Sequence, residues 1–120
     1  MYLKMTLQSE RPFFQLPLHH NHLIQAALYD LLDNEFAEFL HNVGYLHHKG
    51  NRSFKLFSFS RVMGEYKLNK EERRISFKSP VSLVICSPIE AFCHSVMNAI
   101  LKDEGIRIGH AYLKVTKIMS

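Results

Sequence analysis

Two stretches of the chain repeat apolar residues at helical spacing, and runs that alternate apolar with polar lie before, between and after them. A chain patterned this way has few arrangements that bury both kinds of face. The first stretch is Leu23, Ile24, Ala27, Leu28, Leu31 and Leu32, with Asn21 placed to be its N-cap. The second is Ile89, Phe92, Cys93, Val96, Met97, Ile100 and Leu101. It opens on Ser87-Pro88-Ile89-Glu90, which puts serine at the cap, proline at the first position and glutamate three after the serine. Lys102 suits its last turn and Gly105 its stop. A shorter helical piece is predicted over about Glu35 to Asn42, with Phe36, Phe39 and Leu40 inward and Gly44 beyond it.

The strand runs have period two. Met1 to Leu7 places Leu3, Met5 and Leu7 on one side and Tyr2, Lys4 and Thr6 on the other. Gln8 to Leu18, punctuated by Pro12 and Pro17, is predicted as a crossover, and residues 44–53, with Gly44, His47, His48, Gly50 and Asn51, as a loop. Phe54 to Met63 has strand character, Gly64 marks a bulge or bend, and Tyr66-Lys67-Leu68 continues. Asn69 to Glu72 turns, and Arg74 to Lys78 alternates with Ile75 and Phe77 inward. Ser79-Pro80 breaks the run before Val81 to Cys86, and Ile106 to Ile108 and Tyr112 to Ile118 close the chain around Gly109. The order predicts an α/β (α+β) fold: helices near 21–33 and 88–102 on one face of an antiparallel sheet, in one domain over 1–120. With 47% of 120 residues hydrophobic, one core is affordable and a second is not needed. Both helices join non-adjacent strands, so register depends on long-range packing.

Charge is unevenly placed. The net is +4 with eight histidines neutral, but residues 49–78 hold nine lysines and arginines against three glutamates, whereas residues 1–48 hold two bases against five acids. A basic segment of this kind is either a nucleic-acid footprint or a solvated hairpin whose lysines guard an edge. Arg52, Lys55, Arg61, Arg73 and Arg74 are its foremost candidates for phosphate contact. Two cysteines, Cys86 and Cys93, form no metal or disulfide pattern, which suits a reducing compartment. No leader and no membrane-length apolar run is read, so the expectation is a soluble, cytoplasmic protein. His19, His20 and His22, with His47 and His48, lack the Cys or carboxylate partners of a familiar metal spacing. No metal or cofactor is assigned, and the phosphate-loop, His-Glu-x-x-His and Gly-x-Ser-x-Gly motifs are all lacking.

Tyr29, His41 and Lys55 offer a phenol, an imidazole and an ammonium, groups suited to moving protons and steadying charge at an RNA phosphate. RNA supplies its own nucleophile, the 2′-hydroxyl, so cleavage needs only a base, an acid and charge support. Tyr29 sits beside the apolar stripe of the first helix, where it either borders a cleft or caps the core. His41 ends the shorter helical piece, a place that favours the imidazolium or simply caps the helix. Lys55 shares a strand face with Phe57 and Phe59, where it is a site residue or a lysine snorkelling from an edge.

The stretches Leu16-Pro17-Leu18-His19-His20-Asn21-His22-Leu23-Ile24-Gln25-Ala26-Ala27-Leu28-Tyr29, Phe39-Leu40-His41, Phe54-Lys55-Leu56-Phe57-Ser58-Phe59-Ser60 and Ile75-Ser76-Phe77-Lys78-Ser79-Pro80 resemble the N-terminal half of the CRISPR repeat-RNA processing endoribonucleases of the repeat-associated family. The resemblance spans nearly the whole chain and implies a ferredoxin-like domain. It implies a metal-independent enzyme with Tyr29, His41 and Lys55 at the active-site positions. The expected partner is CRISPR repeat precursor RNA, and the expected products carry 2′,3′-cyclic phosphate and 5′-hydroxyl ends. Full-length relatives carry a second ferredoxin-like domain with a glycine-rich loop, which is not expected within these 120 residues. Two alternatives follow, a non-catalytic RNA-binding half-domain or subunit that needs a second domain and a protein-docking surface; an apolar patch left without that second domain would also allow self-association.

Overall fold

A computed structural model describes residues 1–32, 57–103 and 105–120. Eight strands and two helices follow in the order β1 (Tyr2–Ser9), β2 (Phe13–Pro17), α1 (Asn21–Leu31), β3 (Ser58–Phe59), β4 (Tyr66–Asn69), β5 (Arg74–Lys78), β6 (Val81–Cys86), α2 (Glu90–Asp103), β7 (Gly105–Ile108) and β8 (Ala111–Met119). The predicted helical piece about Glu35 to Asn42 and the loop over 44–53 lie outside the described residues.

The alternation in the sequence is what places the larger sheet. Leu3, Met5 and Leu7 of β1 and Leu83 and Ile85 of β6 are fully buried, and Val81 nearly so, on the side where α1 and α2 pack with Ile24, Leu28, Phe92 and Val96. This sheet has the order β3-β6-β1-β8-β7. β1 is central and antiparallel to both neighbours, with Leu3 opposite Ile85 and Met5 opposite Ile118. Within it, β3, β6, β1 and β8 make the ferredoxin-like arrangement, two strand-helix-strand units interleaved in one sheet, and β7 extends its edge by a hairpin. Gly109 turns that hairpin with φ 61°. Gly105 belongs to β7 as well as ending α2, and a Cβ there would run into the Tyr112 ring.

The second helix begins at Glu90, later than the Ser87 cap and Pro88 first position expected from the sequence, and Ser87 Oγ accepts from Ile89 N at 3.0 Å in the turn that leads into it. At α1 the cap is His20 rather than Asn21, and no side chain bonds the first turn. Phe54 to Met63 is less regular than expected. Within its described part, Ser58 and Phe59 make the regular ladder with β6, Ser60 Oγ takes over as acceptor for Val84 N at 2.9 Å, and Met63 adds an isolated bridge to Ser82 of the same strand.

Gln8 to Leu18 is not a mere crossover. Phe13 to Pro17 forms β2, which opens a second, three-stranded sheet of order β2-β5-β4. Its alternating burial, with Phe14 and Leu16 in and Phe13, Gln15 and Pro17 out, is the period-two signal that the flanking prolines obscure. Pro17 is tolerated because β2 is an edge strand. The two sheets share a ribbon: β1 runs into β2, β6 follows from β5, and the pair is antiparallel on both sides of a corner. At the corner Ser9 N donates to Ser79 Oγ and Ser79 N to the Pro12 carbonyl, both at 2.9 Å, and the Ser79-Pro80 peptide is cis.

Candidate nucleic-acid interface

Arg73 and Arg74 stand at the β4–β5 turn. The turn is set locally: Glu72 N donates to Asn69 Oδ1 at 3.2 Å, and Arg73 takes a left-handed φ of 54° that lets the chain reverse. It is also fixed to the start of α1, because Leu18 N donates to the Arg73 carbonyl at 2.9 Å and Pro17 lies opposite Arg74. Exposed guanidinium carriers are therefore held on an anchored backbone. His20 stiffens the same corner. Its Nδ1 lies 2.9 Å from the Pro17 carbonyl, which can only accept, and its ring stands edge-on to Phe77 with centroids 6.1 Å apart.

Arg61 is exposed but belongs elsewhere, between β3 and the Met63 bridge, alongside β6 of the larger sheet. The structure thus brings Arg73 and Arg74 together and leaves Arg61 apart. Arg52, His41 and Lys55 lie outside the described residues. The sequence reading passed over Lys67 and Lys78, which cross-strand register sets on the same sheet face as Arg74. Lys78 follows from the alternation of β5 itself, whereas only the pairing of Lys67 with Ser76 reveals the place of Lys67. Lys78 Nζ is 3.8 Å from Glu65 Oε2, with both side chains largely in solvent, a pair that water screens heavily.

Tyr29 occupies the last turn of α1, about 12 Å along the helix axis from its first residue and so at the opposite end from Arg73 and Arg74. It is half-buried, its ring tilted against Phe57 at 5.3 Å between centroids, and Phe57 in turn stacks on the buried Phe92 at 4.6 Å. The ring packs on the edge of the core and stays partly open to solvent.

Cys86 is exposed and Cys93 buried, both as free thiols, and burial pushes the Cys93 thiol up from its usual range. No group of three or more His, Cys, Asp or Glu among the described residues is arranged to hold a metal ion. No helix among them is long and apolar enough to cross a membrane.

Residues 15–119 match the family described as CRISPR-associated protein Cas6, N-terminal. The CRISPR-associated endoribonuclease Cas6 1 of Methanocaldococcus jannaschii is 24% identical over 120 residues, covering 98% of this chain but 44% of its own length. In structure the chain is similar to a Cas6-related protein from Pyrococcus furiosus, with a TM-score of 0.71 at 18% identity over 98% of this chain and 46% of the other. It is also similar to a RAMP protein described as binding different RNA substrates, with a TM-score of 0.69 at 20% identity over 98% and 47%. These likenesses concern the fold, and the chain spans about half the length of the relatives it matches.

Proposed function

The chain belongs to the Cas6 family, matching its N-terminal part, and from that premise we propose that it acts in processing CRISPR repeat precursor RNA. The match over residues 15–119 is the observation that carries this reading. The chemistry is transesterification without a metal. The 2′-hydroxyl attacks the adjacent phosphorus, the 5′-oxygen leaves, and the products end in 2′,3′-cyclic phosphate and 5′-hydroxyl. Attack and departure lie on opposite sides of phosphorus, so one group must take a proton where another gives one. Tyr29 assists removal of the 2′ proton, His41 donates to the 5′-oxygen, and Lys55 steadies the charge that builds on the phosphoryl oxygens. Arg52, Arg61, Arg73 and Arg74 hold phosphates away from the scissile bond, and the salt sensitivity of binding follows from them.

The test is cleavage of a repeat RNA by the 120-residue chain in excess chelator, alone and with a second ferredoxin-like domain supplied. Replacing the 2′-hydroxyl at the cut site by hydrogen abolishes cutting, and His41→Ala slows it by ~10²–10⁴ with little loss of binding. Cutting that survives the deoxy substitution, or that demands a divalent metal, refutes the mechanism. A second reading is favoured by the chain's coverage of only 44% of the Methanocaldococcus relative: an RNA-binding half that cuts only when another domain or chain completes it. Salt-sensitive binding with cleavage only in the reconstituted mixture identifies that case.

A further inference from the structure

The solvent face of the three-stranded sheet carries an arrangement of cations beside an exposed aromatic ring. Phe13 lies opposite Lys78, Gln15 opposite Ser76 and Pro17 opposite Arg74, while Ser76 is also opposite Lys67 on β4. Directly opposed residues share a sheet face, so Lys78, Lys67 and Arg74 line one surface. Arg74 and Lys78 are separated along β5 by roughly 13 Å, and Lys67, one strand over and midway between them, lies roughly 8 Å from each at backbone level. No acid lies on β2, β4 or β5; Glu65, just before β4, pairs loosely with Lys78. Phe13 is 58% exposed beside these cations, whereas its neighbour Phe14 is in the core.

We propose that this face is a track for single-stranded RNA, with Lys78, Lys67 and Arg74 holding successive phosphates and Phe13 stacking on an unpaired base. The proposal rests on the RNA-binding reading above and extends it to Phe13, Lys67 and Lys78. The cations follow a zigzag whose step suits an extended strand, and the pleated surface is open along its length. An exposed aromatic ring rewards a base whose π face is free, which a duplex does not offer. Charge without acids on the strands supplies attraction that is blind to sequence.

Fluorescence anisotropy across a salt series, with an oligouridine of about twelve nucleotides and a blunt RNA hairpin, tests this in the 120-residue chain. Replacing both Lys67 and Lys78 by alanine lowers the slope of log affinity against log salt by about 1.4 for oligouridine. Phe13→Ala weakens oligouridine binding about tenfold without changing the slope, and Phe13→Trp restores it. Both variants keep the parent's circular-dichroism melting curve, since the replaced side chains are exposed. Binding by the parent chain that neither variant alters removes the track and leaves the RNA-binding reading standing. Absence of binding by the parent to either RNA overturns both. A lysine effect that is equal on the hairpin, with Phe13→Ala silent, makes the face a general phosphate surface and refutes the single-strand assignment. Loss of self-association on Phe13→Ala in sedimentation, with RNA binding intact, makes it an interface between copies and refutes it too.

Discussion

Replacing Phe77 by alanine removes the ring around which the smaller sheet is assembled. Phe77 is 2% exposed, stacks on Phe14 at 5.4 Å, and is approached by Tyr66 at 6.3 Å and by His20 at 6.1 Å, so one side chain ties β2, β4 and the start of α1 to β5. A buried aromatic contributes ~150–250 Å² at ~25 cal/mol per Å², hence ~4–6 kcal/mol, from which the area that alanine still buries must be subtracted. Measured truncations of this type cost ~3–5 kcal/mol, so ~4 kcal/mol is expected. A domain of this size holds ~6–18 kcal/mol in total, so the variant folds but loses a substantial share. The chain has no tryptophan, so urea unfolding is best followed by far-ultraviolet circular dichroism. With a urea slope of ~2 kcal/mol per M, the midpoint falls by ~2 M while the slope stays constant. Phe13→Ala, one strand position from the buried Phe14 but on the open face, costs under ~0.5 kcal/mol. A Phe77→Ala loss below ~1 kcal/mol, or equal losses for the two phenylalanines, refutes the packing argument.

Removing Arg52, Arg73 and Arg74 together lowers the salt slope of repeat-RNA binding by about 2, measured by filter binding, and unchanged affinity excludes this surface. Gly105→Ala costs under ~1 kcal/mol, because its Cβ displaces only the outer end of the half-exposed Tyr112 ring, which also sits 5.7 Å from Arg107 in a cation–π contact; with Tyr112 already alanine the same change becomes neutral, as a double-mutant cycle in urea will show. Cys93, whose thiol is pushed up by burial, titrates later folded than unfolded. Above pH 9.0 the unfolded chain therefore binds fewer protons, and stability declines as pH rises through the folded value. Alkaline melting curves of Cys93→Ala lack that component, and thiol reagents modify the exposed Cys86 before Cys93 at neutral pH.

Much of the fold was legible because burial follows local period. Leu3, Met5 and Leu7, Val81, Leu83 and Ile85 face the core as their spacing requires, and so do the stripes of both helices except Leu101, which is 75% exposed at the end of α2. Where sequence reasoning failed, a local signal competed with a distant partner. Pro12 and Pro17 hid β2, whose existence depends on β5, sixty residues away in register, as with Phe14 opposite Phe77. Asn21 is the better capping residue by type, yet His20 takes the position because the Pro17 carbonyl and the Phe77 ring hold it there. The site was legible as residue types but not as a constellation. Arg61 shares the basic segment with Arg73 and Arg74, yet it lies beside the larger sheet while they stand at the β4–β5 turn of the smaller one. Lys67 reads as an ordinary surface lysine until register sets it opposite Ser76, on the face that Arg74 and Lys78 share.

The central position of β1 has a consequence for the timing of folding. Leu3 meets Ile85 and Met5 meets Ile118, so the strand at the middle of the larger sheet precedes its partners by most of the chain. Pairings this distant in sequence place such a domain among proteins that fold in milliseconds to seconds. Ribosomes add ~5–20 residues per second, so roughly 6–20 s separate the synthesis of β1 from that of β8. During that interval Leu3, Met5 and Leu7 have no completed sheet to enter. The exposure of the strand is set by the rate of translation, and slowing the ribosome lengthens it however fast the finished chain folds.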